Sequence, residues 1–84
     1  MRIISWNVNG IRASVKKGLV DQINSLQADI WCFQETKAQD DQVMDALKEL
    51  SSEYHIQSTS AVKKGYSGVA ILAKKSTFGE AAPS

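Results

Sequence analysis

Apolar positions fall into short blocks whose spacing changes along the chain. Ile3, Ile4 and Trp6 are β-formers in a short segment, giving a first strand over Arg2 to Val8 that breaks at the turn-rich Asn7-Val8-Asn9-Gly10. Leu19, Ile23 and Leu26 recur at the helical period with Val20 beside them, which predicts a helix over about Ala13 to Leu26. Gly18 interrupts it at a cost of about 1 kcal/mol relative to alanine, so a short turn followed by the main helix fits equally. Asp29 to Gln34 is apolar on both parities through Ile30, Trp31, Cys32 and Phe33, the pattern of a parallel strand covered on each face. Asp40 or Asp41 can cap a second helix whose stripe is Val43, Leu47 and Leu50, ending near Ser51. Tyr54 to Ser60 alternates, with Tyr54 and Ile56 on one parity, and Gly68 to Lys74 is a further apolar strand. Residues 76–84 lack periodicity and are expected to fray.

The order β-α-β-α-β-β places the chain in the α/β class. Two strands joined through a helix pair in parallel with a right-handed crossover in nearly all cases, so the first two strands point the same way. If they are also neighbours in the sheet, Asn7 and Asn9 share a rim with Gln34, Glu35 and Lys37, and open α/β sheets bind ligands along such a rim.

Glu35 follows a fully apolar strand immediately, where a surface loop more often starts with Gly, Asn or Asp. It can be one of the one or two carboxylates that a hard cation such as Mg²⁺ takes alongside water and phosphate oxygens. The other reading is a solvated loop acid paired with Lys37. Asn7 and Asn9 are ordinary turn residues before Gly10, or amides that orient a carboxylate or a metal-bound water. No second carboxylate and no histidine base is expected at the rim. Arg12, Lys16, Lys17, Lys37, Lys63 and Lys64 all sit in or beside predicted connections, where phosphate can be held locally. Tyr66, in a turn, either stacks on a base or folds back on the core. Trp6 and Trp31 are expected in the core, and His55 in solvent.

Composition narrows the classes. With 84 residues there is room for one small domain, and Lys plus Arg number 10 against 9 acids, so no global basic field exists. The longest apolar run, Val69 to Ala73, is far below the roughly 20 residues of a membrane helix, and Met1 leads into no signal-peptide core. A soluble cytoplasmic chain is expected, with Cys32, the one cysteine, packed as a small hydrophobe. Dinucleotide, P-loop, serine-elbow, C-x-x-C and H-E-x-x-H motifs are all missing.

Three blocks stand in a specific order: Ile4-Ser5-Trp6-Asn7-Val8-Asn9-Gly10-Ile11-Arg12-Ala13, Gln34-Glu35-Thr36-Lys37, and Gly65-Tyr66-Ser67-Gly68-Val69-Ala70. Together they resemble the amino-terminal portion of the exonuclease III family of apurinic/apyrimidinic endonucleases, in the endonuclease/exonuclease/phosphatase superfamily. The resemblance implies a four-layer α/β sandwich and a DNA repair hydrolase. Its cofactor would be Mg²⁺, with Mn²⁺ as a substitute, and its substrate double-stranded DNA with abasic or 3′-blocked sites. Cleavage 5′ of the abasic site is often joined by 3′-to-5′ exonuclease or 3′-phosphatase action. By the same resemblance Glu35 is a metal ligand, Asn7 belongs to the active-site network beside the metal, and Asn9 is a polar position near it. Arg12, Lys37, Gly65 and Tyr66 match residues lining the DNA-binding surface, with Lys17 a further match.

Family domains run to roughly three times this length, within the range of large single α/β domains. The later family motifs, an Asp-x-Asn, a tyrosine near the scissile phosphate and a terminal Asp-His pair, have no counterpart before Ser84. Residues 1–84 are therefore expected to be a partial, amino-terminal domain without autonomous catalysis, either binding nucleic acid or inert. The intact enzyme is expected to be a monomer, nucleoid-associated or nuclear according to its host, and the isolated chain to self-associate through a bare sheet face. A phospholipid- or inositol-phosphate-cleaving relative is the enzymatic rival.

Overall fold

A computed structural model describes residues 1–60 and 67–79. Gly65, Tyr66, Lys63 and Lys64 lie outside the described residues, as does the tail from 80 onward. Strand β1 (Ile3–Asn7) leads into helices α1 (Ile11–Lys16) and α2 (Leu19–Leu26) and returns as β2 (Ile30–Gln34). Helix α3 (Asp40–Ala46) and a 3-10 turn over Lys48–Leu50 precede the antiparallel strands β3 (Tyr54–Thr59) and β4 (Val69–Lys74). A last short helix, α4, covers Lys75–Phe78, where fraying was expected from residue 76.

The sheet has the order β1-β2-β4-β3. β1 and β2 are parallel with Asn7 opposite Gln34, so their carboxyl ends are level as the crossover rule requires. β4 runs antiparallel to β2, inserted between β2 and β3. This mixed sheet splits its side chains cleanly by parity. Trp31, Phe33, Ala70, Leu72 and Tyr54 face one side and pack in a single core with Ile11, Leu19, Ile23 and Val43 of the helices and with Leu47, the residue that ends α3. Trp31 and Phe33 stack there with ring centroids 5.7 Å apart. Within this core the Tyr54 hydroxyl donates to the Ala28 carbonyl at 3.3 Å, and burial pushes its pKa up.

Several local expectations change. The helix predicted over Ala13 to Leu26 is two helices, because Gly18 takes a left-handed conformation (φ 101°) that ends α1 and turns the chain into α2. Gln39, not Asp40 or Asp41, is the N-cap of α3: the Gln42 side chain reaches back to accept the Gln39 backbone N–H at 2.9 Å. Asp40 and Asp41 lie in the first turn, where negative charge complements the helix dipole, and Asp40 accepts the Ser58 hydroxyl. Trp6 is 38% exposed whereas Trp31 is fully buried, because β1 is an edge strand and helical cover thins over it. His55 is half-buried, and its Nε2 lies 2.7 Å from the Gly79 carbonyl oxygen.

Among the described residues, β2 is covered on one face only. Opposite the helices lies the row Ile3, Ile30, Cys32, Val69 and Ile71, with Ile3 62% and Ile71 43% exposed, and Cys32 is half-buried there. Apolar surface of this kind drives association. The 84-residue chain is expected to bind an apolar dye and to sediment above monomer mass in a concentration-dependent way. A dye-negative monomer with sharp cooperative unfolding would contradict this.

The rim opposite the candidate site is tied by Asp29. Its carboxylate accepts the Thr77 hydroxyl at 2.5 Å and the Arg2 backbone N–H at 2.8 Å, while its carbonyl accepts the Lys74 N–H at 2.8 Å. The bond from Thr77, then that from Arg2, holds the Asp29 pKa below its ordinary 3.8. A depressed folded-state pKa stabilises the fold above the unfolded value, and that contribution is lost as pH falls below 3.8 through the folded value. Thr77→Val is expected to raise the Asp29 pKa toward 3.8 in an NMR titration and to make the fold less pH-dependent in that acid window. An unchanged Asp29 titration curve would mean the bond does not form in solution.

Candidate active site

The carboxyl ends of β1 and β2 continue side by side as paired loops. Val8 N–H donates to the Gln34 carbonyl at 3.0 Å, Gly10 N–H to Glu35 at 2.8 Å and Ile11 N–H to Thr36 at 2.9 Å, which extends the strand pairing into the first turn of α1. The Ser14 hydroxyl donates back to the Val8 carbonyl at 2.7 Å, pinning α1 over the same turn. On the other side, Thr36 N–H donates to the Gly68 carbonyl at 3.1 Å and Lys37 N–H to Ser67 at 2.7 Å. The segment Glu35-Thr36-Lys37 is thus fixed from both flanks.

Four side chains close a polar ring on this base. Asn7 Nδ2 donates to Glu35 Oε2, and Asn7 Oδ1 accepts the Asn9 backbone N–H at 3.0 Å. Lys37 Nζ donates to Asn9 Oδ1 at 2.5 Å and stands 4.0 Å from Glu35 Oε1. At about 40% exposure of both side chains, that ion pair adds little to stability. Asn9, Glu35 and Lys37 have φ values of 47°, 53° and 52°, a left-handed region that asparagine adopts readily and that glutamate and lysine rarely do. Strain concentrated on one loop pair is a mark of functional sites.

Of the residues singled out from the sequence, the structure brings Asn7, Asn9, Glu35 and Lys37 together. Arg12 and Lys16, exposed on α1, line a shallow depression with Gly10, Ala13 and Lys37, so positive charge adjoins the ring. Lys17 lines a separate depression with Trp6, Ser14, Leu19 and Gln22. The bracing roles of Ser14, Thr36, Ser67 and Gly68 are not legible from sequence; the signal there is membership of the motif blocks, Thr36 in the second and Ser67-Gly68 in the third.

The sequence profile of the Endonuclease/Exonuclease/phosphatase family matches residues 4–83. The chain belongs to this family. Among relatives of the endonuclease/exonuclease/phosphatase chain, an exodeoxyribonuclease of Bacillus subtilis is 49% identical over 76 residues, spanning 89% of this chain and 29% of that protein. A DNA-(apurinic or apyrimidinic site) endonuclease 2 of Xenopus laevis is 47% identical over 83 residues, 98% of this chain and 16% of that protein. The solved AP endonuclease of Archaeoglobus fulgidus superposes with a TM-score of 0.73 at 28% identity, covering 87% of this chain and 27% of the other. The four-stranded sheet and its helices therefore form part of the AP endonuclease fold, and the chain spans under a third of each of these relatives.

The donor set suits a hard cation in a limited way. Glu35 offers one carboxylate, oriented by the Asn7 amide, which matches the sparse protein ligation that Mg²⁺ accepts while keeping water and phosphate oxygens. Among the described residues no three His, Cys, Asp or Glu side chains gather into a metal cluster.

Proposed function

We propose that the chain forms the cation- and DNA-facing part of a repair nuclease of exonuclease III type. That nuclease hydrolyses phosphodiesters at abasic sites in double-stranded DNA and acts as a 3′-to-5′ exonuclease. The observation that carries this reading is a single oriented carboxylate, Glu35, on a rim it shares with Arg12, Lys16 and Lys37. Mg²⁺, or Mn²⁺, bound when present at Glu35, would supply Lewis-acid stabilisation of charge on the phosphate. Asn7 would hold the carboxylate oriented through its amide N–H, and its own carbonyl is fixed by the Asn9 N–H. Arg12 and Lys37 would position the phosphate backbone without reading sequence. Among the described residues no three His, Cys, Asp or Glu side chains gather around Glu35, and in this reading the 84 residues bind but do not cleave.

The test mixes the chain with an abasic-site duplex and Mg²⁺, and runs a denaturing gel beside a binding titration at several salt concentrations. Retardation without cleavage is the expected result. Arg12→Ala should reduce the slope of log affinity against log salt by about 1. Cleavage by the chain alone would overturn the division of labour, and absence of binding at low salt would overturn the DNA-facing role.

A further inference from the structure

Thr36 is the one fully buried polar residue in the described chain, and its hydroxyl has no hydrogen-bond partner there. Its immediate neighbours Glu35 and Lys37 are both substantially exposed and both in left-handed conformations. The residue is held at three points. Its N–H donates to the Gly68 carbonyl, its carbonyl accepts from Ile11, and its side chain is driven against the α-carbon of Gly68. A Cβ on Gly68 would collide with Thr36 Oγ1, and Gly68 has a φ of 102° that side-chain-bearing residues rarely adopt. Among the described residues the buried hydroxyl gains no bond from this arrangement, and what the contact supplies is position.

We propose that Thr36 and Gly68 are a positioning pair for Glu35: the Thr36 side chain seated on the bare α-carbon of Gly68 sets the backbone turn that presents the Glu35 carboxylate to Asn7. The backbone hydrogen bonds anchor the segment, and at the side chain it is the shape of the contact that transmits the constraint. β4 thereby acts on a carboxylate at the β1–β2 rim, although neither member of the pair touches the reacting groups. The inference rests on the reading of Glu35 as a cation ligand, and it extends that reading to two residues with no chemistry of their own.

The experiment uses the 84-residue chain, MnCl₂ as the probe and two NMR readouts: paramagnetic broadening around Glu35, and the side-chain amide proton shift of Asn7. In wild type, broadening is expected to centre on Asn7 and Glu35, and Glu35→Gln should abolish it. Thr36→Ala and Gly68→Ala should each move the Asn7 amide toward its free position and weaken Mn²⁺ broadening at least fivefold at equal Mn²⁺. Thr36→Val, which keeps the shape and drops the hydroxyl, should retain both signals. The double variant Thr36→Ala with Gly68→Ala, whose new methyl occupies the vacated space, should lie closer to wild type than either single variant. If Gly68→Ala does not fold, the comparison of Thr36→Ala with Thr36→Val decides alone. Should Glu35→Gln erase broadening while Thr36→Ala leaves both signals at wild-type values, the positioning pair is wrong and the cation reading stands. Should Glu35→Gln leave broadening intact, the cation reading fails, and the Asn7 amide shift alone judges the pair.

Discussion

Glu35→Gln is expected to lower Mg²⁺-dependent incision of an abasic-site duplex by about 30- to 900-fold, about 2–4 kcal/mol of transition-state stabilisation. The measurement calls for a nuclease carrying these residues together with a full complement of later ones. A chimera in which residues 1–84 replace the matching portion of the Bacillus subtilis relative, 49% identical over 76 residues, provides it. Glutamine keeps the size of the side chain and can still accept from Asn7 Nδ2, so the loop pair should survive and the charge alone is removed. Circular dichroism and melting should therefore match the parent chimera while kcat/KM falls. A loss below threefold in an active, folded chimera would remove Glu35 from the reaction.

Trp31→Ala is expected to cost about 3–5 kcal/mol in urea unfolding, enough to unfold most of a marginally stable small domain. Trp31 is fully buried on the central strand β2 and stacks on Phe33, so its removal loses the transfer free energy of the ring and leaves a cavity between sheet and helices. Trp6, which looks equivalent in sequence, is 38% exposed on the edge strand β1 and should cost clearly less when truncated. Equal losses at the two positions would mean that Trp6 is covered in solution, by a second chain or by another surface.

That contrast shows where sequence reasoning reached its limit. Periodicity and β-propensity located each major strand and helix, and the right-handed crossover rule put Asn7, Asn9, Glu35 and Lys37 on one rim once β1 and β2 were taken as neighbours, which they are. It could not tell Trp6 from Trp31, because both sit in short apolar runs and burial depends on which strand takes the edge. Nor was the Gln39 cap visible: glutamine is a poor N-cap by propensity, while the two aspartates beside it are good ones. The positive φ values of Glu35 and Lys37 left no trace either, since neither residue type favours them and tertiary contacts impose them. Thr36 reads as an ordinary polar residue in a loop, and only its burial against Gly68 gives it a role. Gly65 and Tyr66, identified through the resemblance, lie outside the described residues.

The left-handed backbone at Glu35 and Lys37 has a practical consequence for laboratory evolution. Each L-residue held there costs about 1 kcal/mol or more that glycine would not, while the exposed polar contacts of these side chains return about 0.5–1 kcal/mol apiece. A library screened for heat resistance alone is thus biased toward glycine at both positions, and it would drift toward sturdier proteins without the site's carboxylate and its neighbouring cation. Any campaign to stabilise the fold should hold residues 35 and 37 constant and search the rest of the chain.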